Sequence, residues 1–208
     1  MAETSSEVRA ARSWLNHRPL TGFALPRGRL AGLMGWVMGR GNLIEQREAL
    51  ELLDVRAGQR ILEVGHGPGA LLELIRDAGA TVAGVDPSPE MCAMTRRRLR
   101  DPHADITVGM AERTGHPDQA FDAVVSVNNV PMWSDPDAGF RELHRVLRPG
   151  GRLVVAWHGG ATPTRIARRL ALPDDVLDRI LDPMRHAFGS GERRATGHLD
   201  VFLATRAE

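Results

Sequence analysis

Over most of its length the chain alternates short β-branched apolar runs with stretches of helical periodicity. Runs near 60–64, 81–85, 105–108, 121–127 and 151–157 are strand-length and predict buried β-strands. Residues near 70–78, 88–99 and 135–147 predict the intervening helices. The middle helix has a good N-terminus: Ser88 can cap it, Pro89 suits the first turn and Glu90 complements the dipole. Strand alternating with helix predicts an α/β fold, doubly wound, with a mainly parallel sheet and helices on both faces.

The flanks depart from this rhythm. Residues from about 6 to 53 read as helical and would precede the sheet, with Ser13–His17 ending a first helix and 42–53 forming an amphipathic one. Between them, Leu30, Leu33, Met34, Val37 and Met38 share a helical face, a stripe that suits either a lid over an apolar substrate or packing onto the sheet. Gly32, Gly35 and Gly39 each cost about 1 kcal/mol of helix propensity there. After the fifth strand, 164–172 and 174–188 read as helices and 198–205 as a last strand. The stretch from Gly189 to Thr196 is polar and glycine-rich, so the C-terminal strand region is expected to be atypical and shortened. A second copy of the chain would be one way to cover that edge, which carries a homodimer as an expectation.

At 208 residues the expectation is one domain over 1–208, with residues 1–55 as an N-terminal helical cap and 56–208 as the core. A formal net charge of +1 gives no global pull towards nucleic acid or anionic membrane. All 27 basic residues other than histidine are arginine. The runs Arg96–Arg100 and Arg165–Arg169 lack interleaved aromatics, so no nucleic-acid partner is expected, although the second could meet an anionic substrate. Tyrosine is absent, which removes a common general base. The single Cys92 excludes an intramolecular disulfide framework and reads as a core residue. The opening residues are polar and acidic, unlike a secretory signal, and no apolar run approaches the ~20 residues of a membrane span. The expected location is cytoplasmic, with no membrane partner and no metal.

Candidate chemistry concentrates in Ile61-Leu-Glu-Val-Gly-His-Gly-Pro-Gly69, a strand entering a glycine turn ahead of a helix. Gly65, Gly67 and Gly69 let the backbone turn sharply and approach a ligand, and the helix presents free N–H groups to it. Asp86 ends the second strand 21 residues after Gly65, where an acid reaches ribose hydroxyls. Asn128 follows the fourth strand, and Leu-Arg-Pro-Gly-Gly151 precedes the fifth. With these motifs in order over roughly 58–157, the chain resembles the class I S-adenosylmethionine-dependent methyltransferases of the small-molecule type, whose core is Rossmann-like. A nicotinamide dehydrogenase competes, since Gly65-x-Gly67-x-x-Ala70 passes the relaxed dinucleotide fingerprint. Glu63, Gly69 and the Leu-Arg-Pro-Gly-Gly turn favour the methyltransferase.

The resemblance implies S-adenosyl-L-methionine as cofactor. It places Gly65, Gly67 and Gly69 against the methionine portion and ribose, Glu63 near the ammonium, Asp86 on both ribose hydroxyls and Asn128 beside the methionyl arm and transferring methyl. Pro87 and Met91 are candidates for the adenine faces. Met110 stands where many relatives have an aspartate to the adenine amino group, while the Ala111 amide keeps its place and Glu112 either compensates or caps the next helix. His66, in the glycine turn, is a further cofactor candidate. Methyl transfer needs a base only for an acceptor that arrives protonated. His158, just after the fifth strand, is the first candidate for that catalytic role. His144 reads as surface, and His17 and His116 have no assigned place. Met132, Trp133 and Trp157 fall near the same rim and suit either an apolar substrate site or the core. No Asn-Pro-Pro-Tyr follows the fourth strand, so the expected acceptor is a small molecule, with O, N or C open. Because a fold does not dictate a reaction, a non-methylating reaction such as cyclisation stays open as the alternative.

Overall fold

The computed structural model describes residues 12–15 and 43–208. The element order is α1 (Leu43–Leu53), β1 (Arg60–Val64), α2 (Ala70–Asp77), β2 (Thr81–Asp86), α3 (Pro89–Leu99), β3 (Asp105–Val108), β4 (Phe121–Val127), α4 (Pro136–Val146), β5 (Leu147–His158), α5 (Ala167–Leu170), α6 (Asp174–Phe188), β6 (Glu192–Ala195) and β7 (Leu199–Thr205). The seven strands form one sheet in the order β3-β2-β1-β4-β5-β7-β6. Strands β1 to β5 run parallel, while β7 pairs antiparallel with β5 and β6 with β7.

Alternation along the strands builds the two layers. Leu62, Val64, Val124, Leu153, Val155 and Phe202 face α4 and α6, meeting Phe140, Leu143, Ile180 and Met184. Ile61, Val82, Val125, Val154, Leu199 and Val201 face α1 to α3, meeting Ala49, Leu53, Leu72, Ile75, Cys92 and Leu99. The strand order reverses between β1 and β4, and a crevice at the carboxyl ends of the strands there is where ligands bind in such sheets.

Two sequence expectations are corrected. Residues 14–15 form a turn rather than a helix end: the Trp14 amide donates to the Trp133 carbonyl at 2.9 Å and its indole to Val130 at 2.8 Å, so non-local pairing wins. The helix expected over 164–172 is only the single turn of α5. Residues 192–195 form a strand of only four residues, in keeping with a shortened C-terminal strand region. As an edge strand β6 needs a partner on one side only, and Arg193 is fastened to Asp174 and Asp178 of α6. The Leu30–Met38 stripe lies outside the described residues. Among the described residues, no helix is long and apolar enough to cross a membrane.

Candidate active site

The site grows from the turn between β1 and α2. Gly65 adopts φ +73°, and a side chain there would stand 2.3 Å from Asn129 Nδ2. Only glycine lets that amide reach back across the turn. Asn129 donates to the Val64 carbonyl at 2.7 Å, while its Oδ1 accepts from Ser126 Oγ at 2.8 Å and Trp133 Nε1 at 2.7 Å. One side chain thus ties the end of β4 to the end of β1. Gly69, at φ +77°, caps α2 and leaves room for Thr95.

Asp86 closes the turn from the other side. Its Oδ2 accepts from the Gly67 amide at 2.9 Å and its Oδ1 from the Ser88 amide at 2.8 Å. Each oxygen keeps a lone pair for a ligand hydroxyl. Burial pushes the Asp86 pKa up, against the opposing pull of His66 and the two amides. Glu63 lies deeper, 4% exposed, and its Oε2 has no hydrogen-bond partner among the described residues. Burial first, then the charge of Asp86, holds its pKa well above the usual 4.5.

His66 points into the fold. Its Nδ1 lies 2.8 Å from the Gly67 carbonyl and 3.1 Å from Thr95 Oγ1, with the ring against Gly84. Burial lowers its pKa, which favours the neutral ring. Its geometry is that of a brace beneath the turn. Pro87 is half-buried, whereas Met91 is buried at 2% exposure on the first turn of α3. Met110 and Arg113 exchange backbone hydrogen bonds across a tight turn that carries the buried Ala111 at its apex. Glu112 accepts from the amides of Ser134 and Asp135, so it caps the approach to α4.

At the ends of β4 and β5 a second cluster forms. Asn128 sits at φ +58°, a conformation asparagine tolerates, and its amide pairs with the Ala156 carbonyl at 2.9 Å. Its Nδ2 donates to Glu45 Oε2 at 2.6 Å, leaving Oδ1 buried and unpaired among the described residues. Glu45 Oε1 in turn lies 3.0 Å from His158 Nδ1. Both members of that pair are buried, Glu45 to 2% and His158 to 5% exposure.

Trp133 is a core residue, whereas Met132 and Trp157 are half-buried and Trp157 is bonded to the Leu170 carbonyl. His144 is half-buried, its ring edge-on to Phe188. His116 lies with Asp105 and Phe121 near the opposite, amino ends of β3 and β4. Glu45 and Asn129 are the two residues that sequence reasoning passed over. An acid on the inward stripe Glu45, Ala49, Leu53 of an amphipathic helix was the signal for the first; for the second, two adjacent asparagines gave no means of telling their roles apart.

These groups fit S-adenosylmethionine. Buried, unpaired acceptors on Glu63 and Asn128 match an ammonium, which has only donors, and the free lone pairs of Asp86 match a vicinal diol. Glu63 receives a backbone hydrogen bond from Leu72, but burying its Oε2 unpaired is costly unless a cation compensates it.

Comparison with known proteins agrees. A methyltransferase-domain family profile matches residues 62–155. The uncharacterized methyltransferase YdaC of Bacillus subtilis is 30% identical over 125 residues, covering 59% of this chain and 69% of that protein. The uncharacterized methyltransferase Mb3374 of Mycobacterium bovis is 35% identical over 146 residues, 70% of this chain but 58% of its own length. The crystal structure of a putative S-adenosylmethionine-dependent methyltransferase from Methanococcus maripaludis superposes with a TM-score of 0.71 at 16% identity, over 88% of this chain and 96% of that one. The strand order, the glycine turn and this shared sequence together place the chain in the class I S-adenosylmethionine-dependent methyltransferases.

Proposed function

We propose that the chain methylates a small-molecule acceptor that arrives with a proton to lose, and that His158 removes that proton. The carrying observation is the buried Glu45–His158 pair beside Asn128 at the carboxyl ends of β4 and β5. When bound, S-adenosylmethionine would supply an electrophilic methyl on a sulfonium for the acceptor's electron pair, with a neutral thioether as the leaving group. The acceptor's proton goes to His158 Nε2, so the positive charge ends as imidazolium beside the Glu45 carboxylate. Glu63 and Asn128 would hold the ammonium and Asp86 the ribose. Gly65, Gly67 and Gly69 would line the backbone approach, the Ala111 amide and Met110 would meet the adenine edge, and Pro87 and Met91 its faces. Within the N-terminal region, residues 43–55 would act as one domain with the core, a reading supported by Glu45 reaching His158 from α1.

A small-molecule acceptor draws support from a demethylmenaquinone methyltransferase of Tropheryma whipplei, 37% identical over 111 residues, although those cover only 46% of that protein. The arginine run on α3 is in part committed within the fold, with Arg96 bonded to the Ile106 carbonyl and Arg98 near Glu73, which favours small molecules over nucleic acid. The test is release of S-adenosylhomocysteine across a panel of phenols, enols and amines, with wild type and His158→Gln. Turnover that His158→Gln lowers strongly in kcat supports the reading; equal turnover by both removes the base. A second reading rests on the [4+2]-cyclase SpnF, 27% identical with a TM-score of 0.57 over 73% of this chain and 58% of that one. A product of unchanged mass formed without S-adenosylhomocysteine would select it.

A further inference from the structure

We infer that Glu45 is a positioning residue that fixes the tautomer of His158, with Asn128 locking the carboxylate in place. The inference rests on the reading of His158 as the base. A carboxylate is acceptor-only, so Nδ1, at 3.0 Å from Glu45 Oε1, carries the hydrogen and donates it. Neutral imidazole has a single N–H, so Nε2 is left with its lone pair. That is the form in which Nε2 can accept a proton, and the carboxylate then faces the imidazolium that results.

The other carboxylate oxygen is not idle. Asn128 Nδ2 donates to Glu45 Oε2 at 2.6 Å, which fixes the amide's orientation as well as the acid's. Asn128 is itself anchored, its backbone amide pairing with Ala156 of β5 at 2.9 Å. Glu45, Asn128 and His158 therefore come from three elements, α1, the end of β4 and the end of β5, and meet as one buried chain of hydrogen bonds. A helix that precedes the sheet in sequence thereby reaches the candidate base. Helix-dipole complementarity would account for an acid in the first turn of α1, but on the exposed side; Glu45 is instead on the buried stripe with Ala49 and Leu53.

The test is nitrogen NMR of histidine-labelled protein, read on the neutral imidazole of His158 after assignment with His158→Gln. Wild type should show Nδ1 protonated and Nε2 unprotonated. In Glu45→Gln the single amide oxygen is contested by Asn128 and His158, and in Glu45→Ala no acceptor remains. The ratio of the Nδ1–H to the Nε2–H form should fall about tenfold or more in each, the worth of a charge-assisted hydrogen bond. Circular dichroism confirms that each variant is folded; should Glu45→Ala fail to fold, Glu45→Gln carries the result. A dominant Nε2–H form in wild type, or a ratio unchanged in the folded variants, overturns the inference. Failure of the reading of His158 as the base is visible separately, because it appears as equal turnover by wild type and His158→Gln whatever tautomer the NMR reports.

Discussion

Replacing Asn129 with alanine should destabilise the protein sharply, because one amide serves three buried partners. The Val64 carbonyl, the Ser126 hydroxyl and the Trp133 indole N–H would each lose the bond to it. Their residues are 2%, 0% and 5% exposed respectively. At about 1 kcal/mol for each buried polar group left unpaired, the loss is about 3 kcal/mol. The contacts to the carbonyls of Gly65 and Val127, at 3.4 and 3.3 Å, are longer and add little to that loss. In a domain of this size, ~3 kcal/mol lowers the Tm by about 6–12 °C. The assay is thermal unfolding by calorimetry, checked against urea midpoints. A Tm change below about 2 °C would refute the reasoning, showing that water replaces the lost bonds without cost.

Glu63→Gln should raise stability in a pH-dependent way. The folded-state pKa of Glu63 is raised above 4.5 by burial and then by Asp86, so its contribution is fully present below about pH 4.5 and lost as pH rises through the raised value. The Tm advantage of Glu63→Gln over wild type should therefore grow from about pH 4.5 upward and then level off, and a pH-independent difference would refute the assignment. Asp86→Asn replaces one acceptor with a donor that must face the amide of Gly67 or Ser88, and removes charge from the proposed ribose contact. Calorimetry should show S-adenosylhomocysteine binding weakened about tenfold or more; unchanged affinity would remove Asp86 from the site. The Cys92 thiol is pushed up to about 12, first by burial and then by the charge of Asp86. Iodoacetamide at mildly alkaline pH should label it only after unfolding, and labelling of the native protein at the rate of a free thiol would contradict that burial.

Much of the fold was legible in the sequence because local periodicity and turn chemistry agree there. The strands at 60–64, 105–108 and 121–127 match β1, β3 and β4, and Ser88, Pro89 and Glu90 begin α3 as their residue types demand. Legibility failed where tertiary pairing outweighs local preference. Glu192–Ala195 is polar and next to glycines, yet it is a strand because β7 offers a ladder and α6 offers carboxylates to Arg193. Residues 13–15 gave no hint that Trp14 docks on the turn after β4.

The same division holds at the site. Sequence alone determined the glycine turn, the acids at the ends of the first two strands and the family they belong to, because those features are contiguous and their spacing is set by one strand–turn–helix unit. Which way a side chain points was decided only by tertiary structure. His66, in the middle of the motif, turns inward to brace Thr95, whereas Glu45, far from any motif, reaches His158 across 113 positions of sequence. A hydrogen bond between residues so distant leaves no local periodicity, so folding alone brings that acid to that base.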